Sequence, residues 1–281
     1  MALREISVKE ISDAVRDLCI KINYELSDDM QDLLKEAAKK ETSELGCKVL
    51  ETLQENLVVA REEQIPICQD TGMAVVFLEV GQDVHFVDGS IEEAVNDGVR
   101  RGYGEGFLRK SVVEDPIERT NTGDNTPAVI HYTIVSGDKV KVTVSPKGFG
   151  SENMSRVFMK KPADGMEGVK DAILTAVRDA GPNACPPMAV GVGVGGTFEK
   201  AAELSKEALA GIVSPYNRSW TDELEQEVLS EINASGIGPG GLGGKVTALS
   251  VNINTYPTHI AGLPVAVNIC CHVNRHCRAV I

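Results

Sequence analysis

The chain has 281 residues, of which 28 are Lys or Arg and 41 are Asp or Glu, for a formal charge of -13; 42% are hydrophobic, 4% aromatic, and seven are cysteine. That length buries an ample core, which argues against disorder. The acidic balance argues against general binding to nucleic acid or anionic membrane, because polyanions are held by Lys/Arg patches, and leaves room only for a local basic pocket.

The start, Met1-Ala-Leu-Arg-Glu-Ile-Ser-Val-Lys-Glu, has charges where a secretory leader needs an apolar run. No stretch approaches the roughly 20 apolar residues of a membrane span. A soluble, cytoplasmic protein is expected. An odd number of cysteines in so long a chain points to reduced thiols, which ligate metal, catalyse, or fill core as small hydrophobes.

The first 65 residues read as helix: Ile6, Val8, Ile11, Val15, Leu18 and Ile22, then Leu33, Leu34, Ala37, Ala38, Val49, Leu50, Leu53 and Leu57, recur at helical intervals between acidic residues. Cys19 and Cys47 fall inside these stretches and are expected to be packing residues. Pro66 marks a switch, and Met73 to Val80 reads as a strand. Ser90-Ile-Glu-Glu opens a helix running to about Arg101. Strands at Ala128 to Val135 and Lys139 to Val144, joined by Ser136-Gly-Asp, read as a hairpin. A helix from Gly168 to Asp179, a strand from Met188 to Val194, helices from Phe198 to Ile212 and Trp220 to Ala234, and a strand-like tail from Lys245 to Cys271 complete the pattern. The expected fold is α/β in the broad sense, mixed α+β, with a helical N-terminal layer over a mixed sheet with flanking helices and Gly-rich site loops, as one domain over 1–281.

Glycine and polar residues gather where elements meet, on loops able to expose backbone N–H groups to an anion. The most prominent are Cys68-Gln-Asp-Thr-Gly, Asn121-Thr-Gly-Asp-Asn-Thr-Pro, Lys147-Gly-Phe-Gly-Ser-Glu-Asn, Asn183-Ala-Cys-Pro-Pro, the glycine run from Gly236 to Lys245, and Pro257-Thr-His-Ile-Ala-Gly-Leu-Pro. Gly191-Val-Gly-Val-Gly-Gly has the letters of a dinucleotide fingerprint, but no second strand ending in Asp or Glu follows, so the βαβ unit is incomplete. The run ending at Lys245 fails as a P-loop, with Pro239 and Val246 where Gly and Ser or Thr are required. Neither a serine-hydrolase elbow nor H-E-x-x-H occurs.

That leaves thiols and acids. Cys68 and Cys185 each sit near a proline in a loop, an unusual place for packing cysteines, and Cys270, Cys271 and Cys277 cluster with His272 and His276. Zinc could take Cys271, His272, His276 and Cys277, although adjacent ligands fold poorly round one ion. An iron-sulfur cluster held by distant thiolates is the alternative. Spacing alone does not choose between them.

Taken in order from about residue 10 to the end, Cys68-Gln-Asp-Thr-Gly, Asn121-Thr-Gly-Asp-Asn-Thr-Pro-Ala, Gly148-Phe-Gly-Ser-Glu-Asn, Cys185-Pro-Pro, Gly193-Val-Gly-Gly-Thr, Gly241-Leu-Gly-Gly and Pro257-Thr-His with Leu263-Pro-Val-Ala-Val-Asn-Ile-Cys-Cys-His resemble the α subunit of class I, iron-sulfur-dependent fumarate hydratases and the related L(+)-tartrate dehydratases. The resemblance implies a hydro-lyase with a 4Fe-4S cluster on Cys68, Cys185 and Cys271, its fourth iron open to a small dicarboxylate substrate. It implies an active-site acid at Asp70, an active-site His259, and substrate contacts from Gln69, Arg109, Gly148 and Gly150. Plain roles compete: Asp70 as a helix cap, Arg109 in a surface ion pair, His259 as a satisfied buried histidine. Single-chain relatives carry a second domain with further basic residues and a candidate proton-abstracting Thr. The chain ends at Ile281, so a separate β subunit in a hetero-oligomer is expected, with no nucleic acid or membrane partner. A non-catalytic thiol-metal protein on the same scaffold is the other reading.

Overall fold

The computed structural model describes residues 3–281. In chain order its elements are β1 (Arg4–Ser7), α1 (Val8–Tyr24), α2 (Asp28–Lys40), α3 (Glu44–Glu63), β2 (Met73–Gly81), β3 (Val84–Val87), α4 (Ile91–Glu105), β4 (Val129–Val135), β5 (Val140–Lys147), α5 (Phe149–Glu152), β6 (Arg156–Lys160), α6 (Gly165–Ala180), β7 (Met188–Gly195), α7 (Phe198–Leu209), α8 (Ser219–Ala234), β8 (Ala248–Tyr256), β9 (Leu263–Cys270) and β10 (Cys277–Val280). This is the mixed α+β architecture expected from the sequence. The chain divides into two compact units, one made of the stretch up to Ser27 with Leu57–Phe149 and Arg275–Ile281, the other of Asp28–Asn56 with Gly150–Asn274.

In the first unit a four-stranded sheet has the order β10-β5-β2-β4, with β4 parallel to β2 and β5 antiparallel to it. Ala74, Val76, Leu78 and Val80 alternate onto one face of β2 and join Val140, Val142 and Val144 of β5 in a core roofed by α1 and α4. The α1 residues Ile11, Val15, Leu18, Cys19 and Ile22 lie on the buried face. Helix α1 starts at Val8 because Ser7 caps it: the Ser7 hydroxyl accepts from Lys9 N (3.4 Å) and the Glu10 carboxylate accepts from Ser7 N (3.4 Å). Ile6 therefore lies outside the helix, in β1, which pairs in parallel with β3. Ser90 caps α4 through Glu93 N, as its sequence suggested.

The Ser136-Gly-Asp turn does not close a hairpin. Strands β4 and β5 lie on opposite sides of β2, and the turn is tied to the end of β2 by Gln82 N to Val135 O (2.8 Å), Asp83 N to Gly137 O (3.0 Å) and Gly81 N to Lys139 O (2.8 Å). Strand β2, with most of its residues buried, takes the central place, while β4, largely exposed, takes the edge.

In the second unit the sheet order is β6-β9-β7-β8, and the strand-like tail resolves into β8 and β9 on either side of β7. Every residue of β7 is buried. Its valines, Val190, Val192 and Val194, share a core with α6 and α8, while Gly191 and Gly193 point to the other face. There α7 lies directly against the strand: a Cβ on Gly191 would strike the Ser205 carbonyl, and one on Gly193 the Ala201 carbonyl. The fingerprint-like glycines are thus spent on helix–strand approach within the chain. Cys47 also departs from expectation. It stands exposed near the start of α3, because the buried side of this turn is occupied by Gly46 and Leu50.

Gly193→Ala should lower stability by about 3 kcal/mol, an overpacking cost with no flexible side chain to absorb it. Gly104→Ala, where a new Cβ meets nothing within 4 Å, should be neutral or slightly stabilising. Thermal melting of the two variants checks the contrast.

Candidate active site

In the first unit, the loop from Ile67 to Gly72 lies between α3 and β2, and several of its backbone polar groups have identified partners. Ile67 N donates to Asn23 O (2.8 Å), the Tyr103 hydroxyl lies 2.8 Å from Thr71 O and 2.9 Å from Gly72 O, and Asn125 Nδ2 donates to Gly72 O (3.2 Å). Burial pushes the Tyr103 hydroxyl far above its usual range, so it stays protonated and able to donate. Thr71 Oγ1 donates to Arg109 O (3.2 Å), which ties the Arg109 loop to this one.

Asp70 is fixed at both carboxylate oxygens. Oδ1 accepts from Gly72 N (3.0 Å) and Oδ2 from Phe149 N (3.0 Å), and a Cβ on Gly148 would sit 3.0 Å from Oδ2. Gly148 thus makes room for Asp70, and the acid bridges two loops. Its bond to the Gly72 amide is an Asx-turn contact. Cys68 beside it is half-buried, Gln69 is exposed, and the exposed Arg109 guanidinium has no ion-pair or hydrogen-bond partner among the described residues.

In the second unit, Cys185 follows a short 3-10 turn, Gly181–Ala184, and adopts a left-handed φ of 52° with its side chain exposed. The glycine loop holds this turn: Gly240 N donates to Pro186 O (2.8 Å), and Gly241 packs on Pro182 where a Cβ could not fit. His272 Nδ1 lies 3.2 Å from Cys185 O, which brings the residue after Cys271 onto the Cys185 turn and makes Nδ1 the donor. Gly150 has open space at its Cβ position. His259 is exposed in a turn, where its Nδ1 accepts from Ala261 N (3.2 Å), leaving Nε2 as the ring donor.

The thiols sort by environment. Cys19 is fully buried and its thiol is pushed up by burial; Cys277, in β10, donates to Leu18 O (3.4 Å) and is pushed up to about 12 by burial. Neither suits a thiolate ligand. The run from Cys271 to Cys277 is accordingly not gathered as a zinc site, and within either unit no three described His, Cys, Asp or Glu side chains are gathered round one point. Cys68, Cys185 and Cys271 stand in loops beside strands, are at least partly exposed, and are in no disulfide. Cys68 belongs to the first unit and Cys185 and Cys271 to the second; each is an unbridged thiol of the type that binds iron as thiolate.

The sequence pattern of the family described as Fumarate hydratase (Fumerase) matches residues 12–280. A Methanocaldococcus jannaschii protein named "Putative L(+)-tartrate dehydratase subunit alpha" is 40% identical over 273 residues, 95% of this chain and 95% of its own length. The L(+)-tartrate dehydratase subunit alpha of Escherichia coli strain K12 is 31% identical over 277 residues, 97% of this chain and 91% of its own. The chain belongs to the fumarate hydratase family.

Two charged residues that sequence reading passed over organise the loops of this fumarate hydratase family member. Arg275, 3% exposed, donates to Asp70 O. Glu41, 5% exposed, accepts four backbone N–H groups: Thr42 and Ser43 at Oε1 (both 2.8 Å), Lys245 and Val246 at Oε2 (2.8 and 2.9 Å). It thereby closes the glycine loop that supports the Cys185 turn. Desolvation raises the Glu41 carboxyl pKa, but the four amide bonds outweigh it and hold the group below its usual range.

Glu41→Gln should destabilise the protein by about 2–3 kcal/mol, because the amide NH2 would face two buried N–H donors. Since folding holds the carboxyl below its ordinary value, the native contribution is complete above that value and is lost as the pH falls through the folded one. The stability gap between the wild type and Glu41→Gln, measured by denaturant titration, should be full at neutral pH and shrink below about pH 4.

Proposed function

We propose that the chain is the α subunit of a 4Fe-4S-dependent hydro-lyase for four-carbon dicarboxylates, with fumarate and (S)-malate as the interconverted pair, working with a separate β subunit. The observation that carries this reading is the pinned Asp70, two residues from the unbridged thiol of Cys68, in a chain matched nearly end to end by the family pattern. Cys68, Cys185 and Cys271 would hold the cluster, which when bound supplies an open Lewis-acidic iron.

The chain's own residues supply the rest. Loss of water from a 2-hydroxy dicarboxylate needs a proton for the leaving hydroxyl, and Asp70, both of whose oxygens accept backbone amides, is held in one orientation to give or return it. Arg109, with a guanidinium uncommitted to any protein group among the described residues, is suited to fork onto a substrate carboxylate. Gln69 is exposed and can hydrogen-bond substrate, and His259 offers Nε2–H as a donor. The open space at Gly150 lets substrate approach the backbone. One candidate cation is little for a dianionic substrate, which supports a β partner that supplies further positive charge. The relatives are named as α subunits, in line with such a partner.

The names of those relatives also favour a second substrate, L(+)-tartrate, dehydrated to oxaloacetate. It differs from malate by one hydroxyl, a difference that a site built to hydrogen-bond that group can discriminate strongly.

The deciding experiment is turnover of the anaerobically reconstituted α–β pair on malate, fumarate and L(+)-tartrate. Activity on none of the three would overturn the hydro-lyase reading. The α chain alone should turn over poorly or not at all. In the active pair, Asp70→Asn should cut kcat by about 100-fold or more, and Arg109→Met should lower kcat/KM by about 10- to 100-fold for want of a charge-assisted bond. Iron and sulfide content should fall in Cys68→Ser, Cys185→Ser and Cys271→Ser. Cluster uptake that survives all three changes would remove the proposed ligand set.

A further inference from the structure

The Arg275 guanidinium is buried and carries no ion pair among the described residues. Nη1 donates to Asn23 Oδ1 (2.7 Å), Nη2 donates to Asp70 O (2.9 Å), and Nε is buried without a partner. A buried cation without a carboxylate is costly, so a role beyond packing is expected of it. Its surroundings show what that role is.

Asn23 is itself fixed, donating from Nδ2 to Cys19 O (2.9 Å) and accepting Ile67 N at its own carbonyl. Arg275 is anchored at its backbone too, where the Ser145 hydroxyl donates to Arg275 O (2.9 Å). The planar fork thus links helix α1, through Asn23, to the carbonyl of Asp70. A Cβ on Gly148 would lie 3.0 Å from Asp70 Oδ2 and 3.7 Å from Arg275 Nη2, so carboxylate and guanidinium border the same small space.

We infer that Arg275 is the positioning residue for Asp70: the guanidinium holds the Asp70 carbonyl so that the carboxylate stays on the Gly72 and Phe149 amides in its working orientation. This rests on the reading of Asp70 as the active-site acid. A lysine in its place keeps the charge but loses the fork that reaches Asn23 and Asp70 together, and the loop then loses one of its fixed points.

The inference is tested on the chain itself and on the reconstituted α–β pair. In Arg275→Met, hydrogen exchange at the Gly72 and Phe149 amides should rise about tenfold relative to the amides of β2 and β5, as expected when a local tether is cut. Arg275→Lys should recover part of the protection. Should Arg275→Met not fold, Asn23→Ser, which removes the Nη1 acceptor and leaves the arginine in place, should raise exchange at the same two amides by a smaller factor. In the pair, Arg275→Lys should lower kcat about 10- to 100-fold with KM and iron content little changed, the signature of a misplaced acid. Unchanged exchange at both amides would overturn the hold of Arg275 on the loop and leave the hydro-lyase reading intact. A fall in kcat that tracks lost iron would overturn its role in placing Asp70. A wild-type pair inactive on all substrates would overturn the hydro-lyase reading instead, and the exchange result would still decide whether Arg275 fixes the loop.

Discussion

Backbone polar groups withdrawn from water must find partners, and in each unit of this protein the loops with the candidate residues find them on a few side chains, most of them buried. Asp70 takes two amides, Glu41 takes four, the Tyr103 hydroxyl lies against two carbonyls, and Arg275 and Asn125 each hold another. Loops with so many glycines would lose much conformational entropy on ordering, and strand-like pairing is not open to them. Side-chain-to-backbone bonds give them one shape without regular structure. Their geometry therefore depends on polar groups, of which Glu41, Asn125, Arg275 and the Tyr103 hydroxyl lie on buried side chains.

The same arrangement orients one group and leaves others open. Asp70 is aimed by amides at both carboxylate oxygens, whereas the exposed Arg109 and Gln69 in the same unit are left to solvent. In the second unit the Cys185 turn is bonded through its neighbours, at Pro186 O and at its own carbonyl, while the thiol side chain is exposed. A preorganised site needs this division, since groups that must meet a ligand should not have to break internal bonds first.

Much of this was legible in the sequence and some was not, for identifiable reasons. The apolar period gave α1 and Ser90 gave the start of α4, and the order of motif-bearing loops gave the family. Strand order escaped because β4 and β5, adjacent in sequence, each prefer β2 as neighbour, and local turn residues carry no information about what lies between them. The short strands β3, β6 and β10 have too few residues for alternation to show. Cys47 fell in a helical period yet on its outer face. Glu41 and Arg275 gave no signal because the partners that tie them to the site loops, Lys245 N and Asp70 O, lie 204 and 205 residues away in the chain and are backbone atoms, which leave no trace in residue type.

The side-chain-free face of β7 has a further consequence for the Cys185 turn, from which that strand departs. Where α7 meets Gly191 and Gly193, the nearest atoms are the Ser205 and Ala201 carbonyls, main chain against main chain, with Leu204 and Leu209 packed alongside. Elsewhere in the core a changed side chain can be absorbed by its neighbours shifting torsions. Here the spacing is set by covalent geometry, so the strand behaves as a fixed rail. Drift in the apolar residues of the opposite face can alter how firmly the second unit holds together without moving the rail, and the turn at its head keeps its place.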